Sequence, residues 1–288
     1  MQTIKLNNGM EMPILGYGVF QVSPEECERC VLDAISVGYR LIDTAQAYYN
    51  EEGVGNAVAK CGVPRNELFL TTKVWITNAG EENAATSIDE SLRKLQTDYI
   101  DLLLIHQPFS DYTGTWRAME KAVREGKVRA IGLSNFYPDR FVDMAEYAEI
   151  KPAVNQLKTN VFSQQWDAEA EMKPYGTHIM AWGPLAQGDP DLQDNSTLKA
   201  LSEKYSKTPQ QVALRYLIQR GIIAIPKSTH IERMKQNLDV LGFALTQEEM
   251  DSIRPLDKPA DFRWSHRNPE LVKFLLNYDK QFNPNNKK

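Results

Sequence analysis

The chain has 288 residues, 42% of them hydrophobic, with 33 basic and 38 acidic side chains and a net charge of −5. Both signs are interspersed along its length, which excludes the broad cationic face of a nucleic-acid or anionic-membrane binder. No segment reaches the roughly 18 consecutive apolar residues of a membrane span, the start Met-Gln-Thr-Ile-Lys-Leu lacks a signal-peptide pattern, and three cysteines fit a reducing compartment better than a disulfide scaffold. The expectation is a cytoplasmic protein with no nucleic-acid and no membrane partner. Cys27 and Cys30 form a Cys-x-x-Cys, but they fall inside an amphipathic helical pattern with no second ligand pair, so they read as packing residues and no metal is expected.

In chain order, residues 3–6 and 11–14 flank Asn7-Asn8-Gly9, the composition of a β-hairpin, expected here as a small appendage. Eight short apolar runs follow, at 15–19, 40–43, 68–73, 100–106, 128–134, 153–156, 178–182 and 222–225. Helical patterns lie between them at 24–37, 51–61, 82–95, 115–125, 139–148, 164–174, 195–205 and 208–219, with 231–241 and 247–253 after the last run. This alternation is that of a parallel sheet covered by helices. With no linker or composition break it predicts one α/β domain over 1–288, a (β/α)8 TIM barrel with a short N-terminal hairpin. The doubly wound alternative needs a nucleotide fingerprint. Gly16-Tyr17-Gly18 lacks the third glycine and Gly53-Val54-Gly55 opens no strand-to-helix turn, so both read as turns or close packing. From Pro255 the tail is polar, with Phe262, Trp264 and His266 in a loop-like context. It is expected to lie over the barrel mouth and to fray over its last ten or so residues.

Barrel chemistry gathers at the C-terminal ends of the strands. The second run ends in Asp43 with Tyr48 in its loop, the third in Lys73 and the fourth in His106. Singly, each has an ordinary structural reading: a turn or helix-capping aspartate, a half-buried tyrosine, a solvated lysine, a hydrogen-bonded core histidine. Together they suit one task. An ammonium beside a phenol favours the phenolate and is expected to lower the tyrosine pKa by about three units. Asp43 holds that ammonium, and a histidine N–H meets the oxygen of a carbonyl where negative charge develops.

Gly38-Tyr39-Arg40-Leu41-Ile42-Asp43-Thr44-Ala45 with Tyr48, Asn50 and Glu51, then Thr71-Thr72-Lys73-Val74-Trp75, then Asp101-Leu102-Leu103-Leu104-Ile105-His106, resemble in order and register the motifs of the aldo-keto reductases, nearest the short bacterial diketogluconate-reductase-like branch. The likeness runs from about Gly16 to Glu270. It implies a catalytic tetrad of Asp43, Tyr48, Lys73 and His106, with Tyr48 the general acid, and NADP(H) extended across the barrel mouth without a Rossmann fold. It assigns the cofactor to Val19, Phe20 and Asp43, with Ser134, Asn135 and Gln156 on the carboxamide and Trp182 on the nicotinamide face. Gly183, Pro184, Leu185 and Gln187 follow along the pyrophosphate, and Lys227, Ser228, Thr229, Arg233, Gln236 and Asn237 hold the adenosine end. Lys227, two backbone amides and Arg233 near a helix start also make an anion site on physical grounds, suited to a 2′-phosphate. A charge pair on a solvated helix is the plainer reading of the same residues.

The sequence departs from the family where Lys158 and Asn160 replace a usual glutamate and histidine, where Gln107 follows the histidine in place of tryptophan, and where Gly183 replaces serine. Candidate substrate residues are Phe20, Tyr48, Tyr49, Trp75, His106, Gln107, Pro108 and Trp264, any of which could instead be packing or surface. The leading expectation is an NADPH-dependent oxidoreductase, a monomer, reducing small-molecule carbonyls (sugar-derived, dicarbonyl or aromatic) to alcohols. Two alternatives stand beside it: a non-catalytic NADPH-binding subunit, and a lyase with Lys73 as a Schiff-base nucleophile.

Overall fold

Short apolar runs bounded by turn residues become strands, and the amphipathic stretches between them become helices. A computed structural model describes residues 2–259 and 265–283, so the expectations placed on Phe262 and Trp264 lie outside the described residues. In chain order the strands are β1 (Thr3–Lys5), β2 (Glu11–Pro13), β3 (Tyr17–Gly18), β4 (Leu41–Asp43), β5 (Phe69–Val74), β6 (Ile100–Ile105), β7 (Val128–Ser134), β8 (Val154–Lys158), β9 (His178–Trp182) and β10 (Ile223–Ala224). The helices are α1 (Pro24–Ser36), α2 (Glu51–Lys60), α3 (Glu81–Leu95), α4 (Tyr112–Arg124), α5 (Pro138–Tyr147), α6 (Trp166–Met172), α7 (Pro190–Asp194), α8 (Ser196–Tyr205), α9 (Pro209–Gln219), α10 (Ile231–Leu238), α11 (Gln247–Ile253), α12 (Pro269–Leu276) and α13 (Tyr278–Phe282).

β3 to β10 pair in parallel in strict chain order. The ring closes where Leu15 bridges Ala224: Gly16 N–H donates to Ala224 O at 2.8 Å and Ala224 N–H to Ile14 O at 2.9 Å. Gly16 permits this seam because a Cβ there would stand 2.4 Å from Leu41 Cγ. Gly55 lies inside α2, where a Cβ would come within 2.2 Å of the Lys94 carbonyl on α3. Both glycine pairs therefore serve close packing, and the (β/α)8 barrel expected from the alternation is the fold.

Local signals set the helix starts. Ser23 caps α1 ahead of Pro24, and Thr208 with Gln211 closes a capping box at α9. α1 buries Cys27, Cys30, Val31, Ala34 and Ile35 against the barrel, and burial pushes the Cys27 thiol up to about 12, which keeps it from acting as a thiolate. A second apolar layer fills the barrel's interior with Leu41, Phe69, Leu102, Leu104, Val154, Met180 and Ile223.

Leu6 and Met12 join that interior layer, which corrects the reading of the hairpin as an appendage. The hairpin is the barrel's floor, tied on by Asn7 Nδ2 to Pro152 O at 2.9 Å and Asn8 Nδ2 to Arg129 O at 3.1 Å. In the tail His266 lies in a turn, as its loop-like context implied, but the residues beyond it differ from the polar, frayed reading. They form α12 and α13, and the helix runs to Phe282 where fraying was expected, because Phe274, Tyr278 and Phe282 recur at a helical spacing and pack on one another. Among the described residues no helix is long and apolar enough to cross a membrane.

Candidate active site

Parallel register brings three strand ends side by side. Asp43 on β4 lies opposite Thr71, and Lys73 on β5 lies opposite Leu104, so His106, which follows Ile105, emerges two residues beyond the level of Lys73. Tyr48 ends a short 3-10 turn, Gln46–Tyr48, that folds back from β4 over the mouth. Gln46 fixes that turn by accepting from the Trp75 N–H at 2.9 Å. Asn50 anchors its far side with bonds to Val19 O and Val22 O, both at 3.0 Å.

The Lys73 ammonium is fully buried and donates to Asp43 Oδ1 at 2.7 Å, to Thr44 O at 2.8 Å and to Tyr48 Oη at 3.3 Å. Three acceptors match three N–H bonds and leave no lone pair at Nζ. The second Asp43 oxygen accepts from Gln156 Nε2 at 2.8 Å, so the carboxylate is fixed from two strands. Burial pushes Asp43 up and Lys73 down, and their mutual attraction opposes both shifts. The four groups sit within one hydrogen-bonded and ring-packed cluster, with the Tyr48 and His106 rings 5.6 Å apart.

The electrostatics correct one expectation. Tyr48 is not acidified: burial pushes its phenol well above the ordinary tyrosine range, and the negative charge of Asp43 adds to the rise. Desolvation outweighs the single ammonium at 3.3 Å, so Tyr48 stands as a neutral phenol that can give a proton. His106 is pushed the other way, well below its usual value, by burial first and by the Lys73 charge second. It is therefore a neutral imidazole. Its Nδ1 is buried without a partner among the described residues, so the tautomer with hydrogen on Nε2 avoids burying an unpaired N–H.

Several of the expected cofactor residues bond to this cluster or to one another. Asn135, in a left-handed conformation with φ of 63°, donates to His106 O at 3.2 Å and Ser134 Oγ at 3.1 Å and accepts from Trp182 Nε1 at 3.0 Å. Its amide thus orients the Trp182 indole and the strand end that bears His106. Gln156 is engaged through its nitrogen with Asp43, whose backbone carbonyl accepts from the N–H of buried Val19 at 3.0 Å, and Phe20 stands 42% exposed with its ring 5.0 Å from Tyr48. The loop holding Gly183, Pro184, Leu185 and Gln187 is tied down by Asn160 Nδ2, which donates to Gly183 O at 3.3 Å. Asn160 Oδ1 also accepts from the Phe162 N–H at 2.9 Å, so this side chain links the end of β8 to that loop.

Lys227 and Arg233 are exposed and have no ion-pair partner among the described residues; Ser228 is buried between them and caps His230 N at 3.0 Å. Gln236 is exposed on α10 and Asn237 buried. Two unpaired cations beside the first turn of α10 fit an anionic group.

Of the expected substrate residues, Trp75 packs edge-on against His106 at 4.9 Å and Gln107 follows His106, 8% exposed, with Pro108 buried beyond it. Tyr49 goes elsewhere. Its hydroxyl donates to Asp279 Oδ1 at 2.5 Å, and it lines a side cavity of about 200 Å³ with Gln46, Thr77 and Lys94. Tyr278 on α13 packs on Trp75 at 5.5 Å, a wall of the mouth that the sequence reading missed. The four-residue spacing of Phe274, Tyr278 and Phe282 was the signal that could have revealed it.

A closed barrel with a buried lysine–aspartate pair beneath a phenol and a neutral histidine is the architecture of a barrel-mouth enzyme. The chain belongs to the Aldo/keto reductase family, whose sequence model matches residues 12–258. It is 46% identical over 258 residues to the glyoxal reductase of Bacillus subtilis (strain 168), covering 89% of this chain and 93% of that protein. Among solved structures it superposes on MGS-M4, an aldo-keto reductase enzyme from a Medee basin deep-sea metagenome library, with a TM-score of 0.89, 41% identity, and coverage of 92% of this chain and 98% of that one. The Bombyx mori aldo-keto reductase solved in complex with NADP gives a TM-score of 0.86 at 36% identity, covering 93% and 98% of the two chains. α12 and α13 lie beyond the stretch that the family model matches.

Proposed function

We propose that this protein is an NADPH-dependent reductase of aldehydes and ketones in which Tyr48 is the general acid. The observation that carries the reading is the three-acceptor setting of Lys73, which joins Asp43 to the Tyr48 phenol at the barrel mouth. A substrate carbonyl oxygen accepts from Tyr48 Oη and His106 Nε2 together. Bound NADPH supplies the hydride to the carbonyl carbon. As charge grows on the oxygen, Tyr48 passes its proton there, and the phenolate left behind is stabilised by the Lys73 ammonium. His106, being neutral, donates a hydrogen bond without surrendering a proton. Asp43 acts through Lys73, holding it charged and in place.

The expected cofactor residues fit that role. Ser134, Asn135 and Gln156 would hold the carboxamide, Trp182, whose indole Asn135 orients, would stack on the nicotinamide, and Gly183 to Gln187 would line the pyrophosphate. Lys227 and Arg233, with the Ser228 and Thr229 amides, would hold the 2′-phosphate, which favours NADPH over NADH; Gln236 and Asn237 would take the adenine. The NADP complex of the Bombyx mori relative supports this choice, and the name of the Bacillus subtilis relative supports small carbonyl substrates. A Schiff-base role for Lys73 is opposed by its three hydrogen bonds, which leave no nucleophilic lone pair. We read the protein as cytoplasmic and, from the leaning of the family it belongs to, as a monomer.

The test follows NADPH absorbance over a panel of aldehydes, α-dicarbonyls and ketosugars with wild type and Tyr48→Phe. Loss of about 10²–10⁴ in kcat, with NADPH still bound, is the expected result. Near-wild-type rates for Tyr48→Phe on a good aldehyde overturn the reading.

A further inference from the structure

Lys158 is the last residue of β8, at the end of the strand that opens on the barrel mouth. Its neighbours fix the face it leaves from. Val154 belongs to the apolar layer inside the barrel, and Gln156, two residues on, bonds inward to Asp43 Oδ2 at 2.8 Å and to Met180 Sδ at 3.2 Å. Leu157 packs in the outer layer, beneath the helices. Side chains alternate along a strand, so Lys158 leaves on the inner face, about 7 Å nearer the mouth than Gln156. Across the ladder it pairs with Trp182, whose side chain packs on the same inner layer.

The backbone at this point is tied on both sides. Lys158 O accepts from Gln165 Nε2 at 2.8 Å and from Ser163 Oγ at 3.3 Å, and the next N–H, that of Thr159, donates to Trp182 O at 3.2 Å. With Asn160 bonded to Gly183 O, the root of the Lys158 side chain is anchored beside the loop that follows Trp182. That loop, residues 183–188, reads Gly-Pro-Leu-Ala-Gln-Gly, and residues 19–23 after β3 read Val-Phe-Gln-Val-Ser. Neither brings a cation to the mouth. Lys73 is committed to Asp43, whereas half-buried Lys158 has no carboxylate within ion-pair distance among the described residues.

We infer that Lys158 is a binding residue for the cofactor's pyrophosphate, an ammonium supplied by the neighbouring strand to a diphosphate-lining loop that has no charge of its own. A compact ammonium with three rotatable N–H bonds suits the oxygens of a diphosphate, and its charge strengthens each bond it makes there. Where the family usually has glutamate, this chain offers the opposite sign. The inference rests on the proposed seating of NADP(H) along the mouth and adds a charged contact to it.

The experiment titrates wild type, Lys158→Gln, Lys158→Arg and Lys158→Glu with NADPH, NADH and adenosine 2′-phosphate, reading Kd by calorimetry in the absence of substrate. The two dinucleotides share the pyrophosphate; adenosine 2′-phosphate lacks it and keeps the 2′-phosphate. Lys158→Gln is expected to raise Kd for NADPH and NADH by the same factor, about tenfold, while Kd for adenosine 2′-phosphate stays within about twofold. Lys158→Arg is expected to retain most of the affinity and Lys158→Glu to lose more than Lys158→Gln. The gap between wild type and Lys158→Gln narrows as ionic strength rises. Urea midpoints verify that each variant is folded. Unchanged Kd for both dinucleotides in Lys158→Gln overturns the inference, and so does an equal loss for adenosine 2′-phosphate, which assigns the ammonium to the 2′-phosphate instead. Unchanged dinucleotide Kd with a raised KM for 4-carboxybenzaldehyde but not for benzaldehyde assigns it to an anionic substrate and overturns the inference as well. A wild type that binds neither dinucleotide overturns the proposed cofactor seating and this inference with it.

Discussion

Asp43 and Lys73 form an ion pair at 2.7 Å with neither side chain open to solvent. Such a pair is costly to assemble and more costly to halve, because removing one member leaves the other as an uncompensated buried charge. The strand ends that carry it, β4 and β5, also carry the loop with Tyr48, so the pair couples the stability of the barrel mouth to its chemistry.

Asp43→Asn, which preserves shape and removes charge, is therefore expected to lower stability by about 3–5 kcal/mol. Lys73→Met is expected to cost a similar amount, and the double variant much less than the sum. Urea unfolding followed by circular dichroism measures all three. Strict additivity between the two single variants would show that the carboxylate and ammonium do not depend on each other.

Lys227 and Arg233 stand exposed and free of ion-pair partners among the described residues, a setting that makes them available to an incoming phosphate. Lys227→Ala and Arg233→Ala are each expected to cut the ratio of kcat/KM with NADPH to that with NADH by about tenfold, or about 1.4 kcal/mol apiece. Raising the ionic strength should narrow the wild-type ratio as well, since both cations face solvent. Steady-state kinetics with the two cofactors decides it: a ratio near one in the wild type, untouched by either substitution, removes the 2′-phosphate from this end of the site.

Much of the barrel was legible because its signals are local. The run from Val128 to Ser134 and the run from His178 to Trp182 are strands over the full stretches their apolar character marked out. Asp43, Lys73 and His106 could be placed together because each ends such a run, and parallel register does the rest. The direction of the Tyr48 shift was not legible, since it depends on how completely Phe20, Trp75, His106 and α13 exclude water, a property of the assembled mouth. The hairpin's role was hidden for the same reason: Leu6 and Met12 gain meaning only against Leu41 and Phe69 inside the barrel. The tail was misread because its polar residues masked the four-residue aromatic stripe that builds α13, and because Asp279 finds Tyr49 and Thr77 some 200 residues away.

Stability in acid should report on His266. In the folded protein burial holds this imidazole at about 4, against an ordinary value of 6.5. Between those two values the unfolded chain takes up a proton that the folded chain refuses. Unfolding is therefore favoured as pH falls: the contribution of neutral His266 is fully present above about 6.5 and is lost progressively as pH drops through about 4. The drop corresponds to about 3 kcal/mol as an upper bound, and partial exposure of the ring reduces it. His106 is pushed down in the same direction, so wild type alone does not isolate either group. His266→Phe removes one titration and retains the other. Urea midpoints at pH 7.5, 5.5 and 4 are expected to fall more steeply for wild type than for His266→Phe, the gap between them changing by about 1–3 kcal/mol over that range. Parallel lines for the two proteins would mean that His266 titrates alike in the folded and unfolded chains, and that the tail does not shut it away beside Gln107.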